Sequence, residues 1–419
     1  MANKLHSVID PNIENIICDP ATYADEALFH DAFTQLRSHD PVHWCEPREY
    51  RPFWAVTRHA DLTAVELNTR NFRNEPRQFL VTRADEEMMQ AQTGSSMFAR
   101  NLVAMDAPDH TAFRALTADW FTAKRVQELV GQIEALAKET IDRMVAMDGS
   151  CDFVKDIAAW FPLRIIMLVL GVPPEDEALM LELSRKVFGN TDPDTGGGDG
   201  MASMMEAFAA FNAYFATITE ERRKNPRNDV ATILATAKID GKPIGEAERN
   251  AYYLIIAAAG HDTTSSAISG GLLALLQNPA EMAKLRADPS LMPRAIDEMI
   301  RWTSPVKHFF RTAVSDCEVG GKKVRAGDSL MMAYWSANRD EAVFEDPFAF
   351  RVDRISNRHL AFGVGSHICL GKFLAKLEMQ ALFTELLARV EHISLAGEPA
   401  WVKASFVSGL KTLPIHFRA

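Results

Sequence analysis

The segment AFGVGSHICLGK (residues 361–372) holds one of only five cysteines in the chain, two positions after a histidine and between glycines. An isolated cysteine is more often a small buried hydrophobic residue than a ligand or a nucleophile. The residues around Cys369 change this expectation, because they complete the pattern F-x-x-G-x-H-x-C-x-G. The four other residues of the pattern are Phe362, Gly365, His367 and Gly371. Chance matches of this kind have odds of roughly 2 in 100,000 for this composition, so the pattern indicates a function for Cys369.

The overall composition is that of an ordinary water-soluble globular protein. The chain has 419 residues, of which 47% are hydrophobic and 24% are charged. Its formal net charge is −11, from 56 Asp and Glu against 45 Lys and Arg. This acidic balance argues against a nucleic acid or an anionic membrane as the binding partner.

The cysteines and the apolar stretches indicate where in the cell the protein is expected. The cysteines are odd in number, scattered and without a C-x-x-C pair: Cys18, Cys45, Cys151, Cys317 and Cys369. We therefore expect neither a disulfide framework nor a zinc site, and we expect the reducing cytoplasm as the location. The most apolar stretches, residues 161–172 and 252–260, are shorter than the roughly 20 residues that span a bilayer, so we expect no membrane segment.

Hydrophobic periodicity predicts a mainly α fold with a minor β portion. Residues 124–147 show the apolar stripe of an amphipathic helix. Further helices are predicted at 175–188, 202–224, 246–277, 292–303 and 371–390. Shorter strands are predicted at 53–58, 310–315, 317–324 and 329–335, the third as a hairpin that turns at Gly320 and Gly321. The β-rich portion comprises roughly residues 45–75 and 305–335.

The pattern around Cys369 resembles the haem-binding signature of the cytochrome P-450 superfamily. The resemblance implies that the Cys369 thiolate is the axial ligand of the iron of haem b, where it favours cleavage of the O–O bond. Such a thiolate must lie just before a helix, so that backbone N–H groups can hydrogen-bond the sulfur. Gly365 and Gly371 would let the backbone approach the flat macrocycle. Phe362 would pack beside the sulfur, and His367 would hydrogen-bond a haem propionate.

A second segment, residues 255–271, resembles the oxygen-binding helix of the family. The signature [A/G]-G-x-[D/E]-T is met by Ala259, Gly260, Asp262 and Thr263. The small pair would let the helix widen where oxygen lies. Cleavage of dioxygen needs two protons in an apolar pocket, and the resemblance implies that Thr263 hydrogen-bonds oxygen while Asp262 relays protons from solvent. Two roles stay open for His261, which either joins the proton route or forms a salt bridge. The hydroxyls that follow are expected to bond back to helix carbonyls: Thr264, Ser265 and Ser266.

A structural motif of the family is also present. Glu298 and Arg301 stand one helical turn apart and resemble the buried ion pair that braces the haem-binding loop. The resemblance assigns Arg354 to the same brace, although Arg351 stands where the family more commonly has Asp.

Two further positions resemble haem-propionate ligands. His110 and Arg114 stand four positions apart at the start of a helix, so both can reach one carboxylate. Arg311 resembles the strand arginine that binds the other propionate.

The resemblance also implies an apolar substrate pocket with few polar anchors. The expected pocket residues are Phe79, Met97, Phe98, Ala258, Ala259, Thr263, Val306, Phe309 and Phe310. Each aromatic residue or methionine of this set fits an ordinary core position equally well. The loop at residues 189–200 is expected to be the lid over substrate entry, with a solvated connector as the alternative.

The resemblance covers essentially the whole chain, so we expect a single domain over residues 1–419. It is closest to soluble bacterial members, in particular to the terpineol-hydroxylating enzymes, which implies a small apolar substrate such as a monoterpenoid or an aromatic hydrocarbon. The implied activity is that of a monooxygenase that uses O2 and electrons from an iron-sulfur ferredoxin, itself fed by a ferredoxin reductase. Four basic residues are expected to attract an acidic ferredoxin, with a solvated surface as the alternative: Lys124, Arg125, Lys372 and Lys376.

Two rival activities stay open for a haem-thiolate protein. One is a non-catalytic gas or redox sensor or ligand carrier, and the other is a peroxide-driven oxygenase. The pair Asp262 and Thr263 favours the monooxygenase, because a carrier has no need of a proton relay. A peroxide-driven enzyme is expected to place something other than an acid and an alcohol above the iron.

Overall fold

A computed structural model of the chain describes residues 9–94, 100–188 and 200–419. Its helices are α1 (Ile13–Cys18), α2 (Glu26–His39), α3 (His59–Leu67), α4 (Arg83–Thr93), α5 (Asp109–Thr117), α6 (Ala123–Gln127), α7 (Val130–Val145), α8 (Phe161–Leu170), α9 (Glu177–Phe188), α10 (Gly200–Lys224), α11 (Val230–Thr236), α12 (Glu246–Gln277), α13 (Pro279–Ala287), α14 (Met292–Thr303), α15 (Tyr334–Ala337) and α16 (Lys372–Arg389). Its strands are β1 (Val42–Cys45), β2 (Phe53–Val56), β3 (Phe72–Arg73), β4 (Ser150–Asp152), β5 (Lys238–Ile239), β6 (Lys242–Pro243), β7 (His308–Ala313), β8 (Cys317–Val319), β9 (Lys322–Val324), β10 (Ser329–Ala333), β11 (His392–Leu395), β12 (Ala400–Trp401), β13 (Leu410–Thr412) and β14 (Pro414–Arg418). The predicted fold class, mainly α with a minor β portion, is confirmed.

Helix α12 is the central element of the α-rich part. Its 32 residues have the predicted bounds, and it packs against α8, α14 and α16. The helix ends where the Asn278 side chain donates to the Ala274 carbonyl oxygen (2.8 Å) and Pro279 follows, since proline cannot continue the hydrogen-bond ladder. Because most positions of α12 are buried, its polar side chains must find partners inside the protein or face a cavity.

Helix α8 lies across α12 and fixes its position. The apolar stretch that gives rise to α8 is buried at eight of the ten helix positions. A side chain at Gly260 of α12 would meet Ile166 of α8, since a Cβ atom there would lie 2.7 Å from the Ile166 Cδ1 atom. The glycine therefore permits the two helices to approach closely. Among the described residues, no helix combines the length and the apolar character needed to cross a membrane.

The helix predicted at 124–147 is two helices, α6 and α7. The chain tightens between them, because the N–H groups of Glu128 and Leu129 donate to carbonyls only three residues back, at Arg125 (3.1 Å) and Val126 (3.0 Å). Leu129 is nevertheless buried, so the apolar stripe continues across the break. The periodicity therefore predicted the buried face correctly but not the interruption.

A five-stranded sheet joins the two predicted β-rich regions, in the order β1-β2-β10-β7-β3. Strands β2 and β10 run parallel, whereas the other neighbours are antiparallel. The register pairs Arg311 with Leu330 and Phe310 with Met331. Since successive side chains of a strand point to opposite faces, Arg311 and Phe310 cannot reach the same space. Phe310 and Met331 lie in the hydrophobic cluster with α1 and α2. The predicted hairpin at 317–324 forms from β8 and β9.

A buried network around Glu298 connects α14 to the loops beyond it. The side chains of Glu298 and Arg301 are both fully buried. Arg301 donates to the two Glu298 carboxylate oxygens through Nε (2.8 Å) and Nη2 (2.7 Å). The Arg354 Nε also donates to Glu298 (3.0 Å). Burial favours a raised pKa for Glu298, but the hydrogen bonds and charge of the arginines hold that pKa below its ordinary value. Arg351 contributes its backbone N–H to Glu298 (2.9 Å), while its side chain is 40% exposed and lies near Glu345. This position therefore accommodates arginine.

The same network reaches the segment that carries the cysteine. Arg301 donates through Nη1 to the carbonyl oxygens of Asn338 (2.9 Å) and Pro347 (2.9 Å). The side-chain oxygen of Asn338 accepts the backbone N–H of Leu360 (2.6 Å). Leu360 directly precedes residues 361–372, so the Glu298 network fixes the point where that segment begins.

We expect Glu298→Gln to lower the free energy of unfolding by about 3–5 kcal/mol, because two buried guanidinium groups lose their anionic partner. Urea denaturation followed by far-ultraviolet circular dichroism measures the change. Glu345→Gln is the control, because Glu345 is 84% exposed beside Arg351 and its loss should leave the midpoint unchanged. A Glu298→Gln protein as stable as the wild type would contradict the structural role of the network.

Candidate functional site

A large cavity separates α12 from the segment that carries Cys369. It encloses about 1470 Å³ of empty space, part of which opens to solvent. Ala259, Gly260 and Thr263 of α12 form part of one wall, and Phe362 and Cys369 form part of the wall that the cysteine segment provides. Further apolar lining residues are Leu102, Val103, Ile166, Ile255, Val306, Phe309, Leu370 and Leu374. The fold thus brings a thiol and the centre of a long helix to one mostly apolar space.

Cys369 lies just before α16, at the end of a tight turn. Its backbone N–H donates to the Phe362 carbonyl oxygen (2.8 Å), which folds the segment back on itself. Burial raises the pKa of the Cys369 thiol, while the backbone N–H groups of Gly371 and Lys372 and the charge of Arg114 oppose this rise. Donors of this kind at a helix N-terminus stabilise a metal-bound thiolate.

The glycines of the segment serve different purposes. Gly363 and Gly365 have positive φ values, +67° and +78°, which L side chains rarely adopt. A Cβ atom at Gly365 would also lie 3.1 Å from the Glu66 carbonyl oxygen of α3. Gly365 thus allows approach to α3 rather than to the cavity, contrary to the reason inferred from sequence. Gly371 has open space around its Cα and lines the cavity.

One end of the cavity is polar. The side chains there are His110, Arg114, Arg311 and His367. The rings of His110 and His367 stack with centroids 3.8 Å apart, and Arg114 donates to the Ile368 carbonyl oxygen (2.7 Å). Burial, together with nearby positive charge, lowers the pKa of His110 and lowers that of His367 to about 2. Both rings are therefore neutral near pH 7 and can act as hydrogen-bonding groups but not as charges.

The residues at this end fit the carboxylate edge of a haem. The buried Nε2 atom of His110 has no hydrogen-bond partner, and the side chains of Arg114 and Arg311 line the same space. Haem has two propionate groups that can accept hydrogen bonds from such donors, and its ring needs an apolar slot beside the axial ligand. Cys369 would ligate the iron, and these three side chains would hold the propionates.

Sequence reasoning missed Asn74, which also lines the polar end. Its Nδ2 atom lies 2.8 Å from the Nε2 atom of His367. An amide nitrogen is a donor, so Nε2 accepts and the ring proton is on Nδ1. The carboxylate of Asp106 holds Asn74 through its backbone N–H (3.0 Å) and side chain (2.9 Å). No local pattern links Asn74 to His367, because the two are 293 positions apart.

The predicted catalytic residues of α12 point in different directions. Thr263 lines the cavity, and its hydroxyl donates to the Ala259 carbonyl oxygen (2.7 Å). Asp262 is absent from the described lining; its carboxylate lies 3.0 Å from the Nδ1 atom of His261 and is 28% exposed. The buried His261 ring donates through Nε2 to the Ala159 carbonyl oxygen (2.8 Å). His261 therefore anchors α12 to the segment before α8 and touches the acid at the same time.

The residues that follow on α12 also face in different directions. Thr264 lines the cavity, while Ser266 packs against Gly409, where a Cβ atom would lie 2.4 Å from the Ser266 hydroxyl oxygen. The carbonyl oxygen of Ser265 accepts the hydroxyl of Ser269 (2.9 Å). On this part of α12 the hydroxyls that bond back to helix carbonyls are those of Thr263 and Ser269, rather than those of the predicted Thr264, Ser265 and Ser266.

The predicted pocket residues separate into three groups. Ala259, Thr263, Val306 and Phe309 line the cavity. Phe79, Ala258 and Phe310 are absent from its described lining, which corrects the expectation. Phe79 stacks on Phe406 with centroids 4.8 Å apart, and Phe310 packs edge-on against Phe53 at 5.4 Å on the other face of the sheet. Met97, Phe98 and the loop residues 189–199 lie outside the described residues.

A buried acid that sequence reasoning also missed lines the cavity from α16. Glu378 is 2% exposed, and its Oε2 atom has no hydrogen-bond partner. Burial raises the pKa of Glu378 well above its ordinary value, because the apolar surroundings favour the uncharged carboxylic acid. Its position in an ordinary helical stretch, AKLEMQA (375–381), gives no sign of this environment.

Known cytochromes P450 resemble the chain in sequence. The family model described as Cytochrome P450 matches residues 198–404. The protein named Cytochrome P450-terp from a Pseudomonas species is 40% identical over 421 residues, which cover 98% of this chain and 98% of that protein. Steroid C26-monooxygenase of Mycobacterium tuberculosis (strain CDC 1551 / Oshkosh) is 38% identical over 319 residues, which cover 75% of this chain and 85% of that protein.

Solved structures extend this similarity to the fold. The crystal structure of CYP108D1 from Novosphingobium aromaticivorans superposes with a TM-score of 0.91 at 42% identity, covering 98% of this chain and 99% of that one. The cytochrome P450 CYP268A2 of Mycobacterium marinum, solved in complex with pseudoionone, gives a TM-score of 0.88 at 31% identity over 100% of both chains. With a cysteine, a long helix and a polar edge arranged around one cavity, the chain belongs to the cytochrome P450 family of haem-thiolate monooxygenases.

Proposed function

We propose that the protein hydroxylates a small apolar molecule of the terpenoid or aromatic-hydrocarbon class, with O2 and with electrons from an iron-sulfur ferredoxin that a ferredoxin reductase supplies. The cavity that has Cys369 on one wall and Thr263 on another is the observation that carries this proposal. The chain acts as one domain over residues 1–419, and its place is the cytoplasm.

The cofactor in this proposal is haem b. Bound through a thiolate, haem supplies the chemistry that cleaves the O–O bond. The chain itself supplies Cys369 as the ligand and a charged edge for the propionates. Arg114 and Arg311 provide positive charge there, and the neutral rings of His110 and His367 provide hydrogen bonds.

Proton delivery is assigned to Asp262 and Thr263. Thr263 faces the cavity, and its hydroxyl donates a hydrogen bond to the Ala259 carbonyl oxygen. Its oxygen lone pairs can therefore accept a hydrogen bond from water or from another donor. Asp262 is partly exposed and touches His261. The acid can therefore take protons from solvent on one side of α12 and pass them toward the hydroxyl next to it.

The walls of the cavity favour a small apolar substrate. Val306 and Phe309 of the segment after α14 and Ile255 of α12 line it, and the charged side chains Arg114 and Arg311 belong to the propionate end. The relatives named Cytochrome P450-terp and CYP108D1 each match almost the full length of the chain. Steroid C26-monooxygenases match at 38% identity over 75% of the chain or at 32% identity over 98% of it. Their lower identity over the full length makes steroids the alternative class to test.

The proposed ferredoxin site is the surface around the N-terminus of α16, on the thiolate side. The structure changes which basic residues are available there. Lys376 pairs with Asp297 (2.5 Å), and Arg125 pairs with Glu128. Lys124 is exposed on α6, which packs against α16, and the Lys372 ammonium lies 4.9 Å from the ring centroid of the exposed Phe373. We assign the attraction of an acidic ferredoxin chiefly to Lys124 and Lys372.

We expect Thr263→Ala to consume reductant while it releases hydrogen peroxide in place of hydroxylated product. Product formed per reductant should fall on the order of 100-fold, the lower end of what positioned proton transfer contributes. Ser269→Ala is the control, because it removes a hydroxyl that makes the same kind of helix bond to Ser265 (2.9 Å). A Thr263→Ala enzyme that forms as much hydroxylated product per reductant as the wild type would count against the relay.

Optical titration of the ferric protein tests the substrate class. A monoterpenoid and an arene should shift the haem band from low to high spin by displacing water from the cavity, whereas a steroid and a fatty acid should not. Phe309→Leu should weaken the shift by about tenfold through lost contact. The matched variant Phe310→Leu, on the opposite face of the sheet, should bind normally. A response to the steroid alone would overturn the assignment, and a carbon monoxide spectrum without the red-shifted thiolate band would exclude the haem ligation itself.

The double variant Lys124→Glu with Lys372→Glu should raise the KM for ferredoxin by about tenfold, because both positive charges favour encounter with an acidic partner. KM is the readout, because the charge of Lys372 also acts on the Cys369 thiol. Turnover by the wild type should fall with rising salt, and the variant should be less sensitive. Lys238→Glu with Lys242→Glu, on the exposed β5–β6 hairpin, is the control with the same change in net charge. If both double variants behave alike, the proposed surface is wrong.

A further inference from the structure

A buried carboxylate that the proposed function does not use lies beside the polar end of the cavity. Glu66, in the last turn of α3, has a side chain that is only 1% exposed. Its Oε1 atom pairs with the guanidinium of Arg311 and accepts the hydroxyl of Tyr334 (2.6 Å), and its Oε2 atom accepts the backbone N–H of Val364 (3.0 Å). Three separate parts of the chain thus meet at one carboxylate.

Each of these partners belongs to the haem site. Arg311 and Tyr334 line the cavity, and Val364 is in the segment that leads to Cys369. The two glycines beside Val364 fit against Glu66. A Cβ atom at Gly363 would lie 3.4 Å from its Oε2 atom, and one at Gly365 would lie 3.1 Å from its carbonyl oxygen. The cysteine segment is therefore shaped to rest on this residue.

The groups around Glu66 fix the orientation of the Arg311 side chain. Arg311 is buried, with one remaining bond from Nη1 to the carbonyl oxygen of its own neighbour Phe310 (2.8 Å). Burial and the adjacent carboxylate raise the pKa of Tyr334 well above its ordinary value, so its hydroxyl stays protonated and remains a donor. Glu66 is thus an ion-pair partner that fixes where the Arg311 guanidinium points.

We propose that Glu66 is a positioning residue for the haem, which orients Arg311 toward a propionate and ties it to the segment that carries Cys369. This inference rests on the haem site of the proposed function. Glu66 also places one negative charge near the propionate edge. A fixed negative charge stabilises the ferric state relative to the ferrous state, because reduction removes one positive charge from the haem.

Glu66→Gln tests both consequences without substrate, oxygen or ferredoxin. Transfer of haem to an excess of apomyoglobin measures retention, and we expect transfer from the variant to be about tenfold faster. A dye-coupled reductive titration measures the potential. We expect a shift toward the ferrous state of up to tenfold in the equilibrium constant, which is about 59 mV for one electron.

Two further variants separate positioning from general stability. Glu341→Gln removes a carboxylate from another buried arginine, Arg37 (2.9 Å), and should change neither haem transfer nor potential. Tyr334→Phe keeps the Glu66 charge and removes one donor, so haem transfer should be about threefold faster at an unchanged potential. This milder variant also supplies the retention test if Glu66→Gln does not fold.

The outcomes distinguish this inference from the function proposed above. Wild-type haem transfer and potential in Glu66→Gln would overturn the role of Glu66 while leaving the haem site intact, and so would equal changes in Glu66→Gln and Glu341→Gln. If Glu66→Gln does not fold, a wild-type rate of haem transfer in Tyr334→Phe would overturn the role of Glu66. A wild-type protein that takes up no haem would instead defeat the proposed function itself.

Discussion

The position of the Cys369 segment depends on two buried carboxylates, because the segment itself has almost no regular secondary structure. Glu298 acts at its start through Arg301 and the loop that holds Leu360. Glu66 acts in its middle by accepting the N–H of Val364. A buried carboxylate without partners costs several kcal/mol, so each acid holds its donors in a narrow range of positions. The position of Cys369, the proposed iron ligand, thus depends on charges that are far from it in sequence.

Helix α12 is held in place by contacts on its other side. Gly260 allows Ile166 of α8 to approach, and the buried ring of His261 donates to the Ala159 carbonyl oxygen. These contacts fix the rotation of α12 about its axis. Thr263 then faces the cavity while Asp262 stays near solvent. The order of residues in the signature is therefore a consequence of helix geometry, since adjacent residues are turned by roughly 100°.

Features with a local cause could be predicted from the sequence. The bounds of α12 follow from its apolar length and from Pro279 after it, and the cysteine pattern is contained in a single turn. The alternation of a strand could also have separated Phe309 from Phe310, although both were assigned to the pocket. That error came from treating a short apolar run as one surface.

Features created by distant contacts could not be predicted. Asn74 meets His367, and Glu66 meets Arg311, only because α3, β7 and the cysteine segment come together in the folded protein. The break between α6 and α7 is equally invisible in the periodicity, because Leu129 stays on the apolar stripe. Even Glu378 differs from an ordinary helical glutamate only through what surrounds it.

The charges at the haem edge form a definite balance. With haem bound, its two propionates would face the positive groups Arg114 and Arg311, and those four charges cancel. Burial and nearby positive charge lower the pKa of His110 and of His367, which favours neutral rings beside the carboxylate of Glu66. Glu66 thus adds a negative charge in a poorly solvated region, where its field is weakly screened. With the role proposed for Glu66, the edge that would bind the cofactor would also bias the iron toward its ferric state, so that binding and redox tuning would depend on the same few contacts.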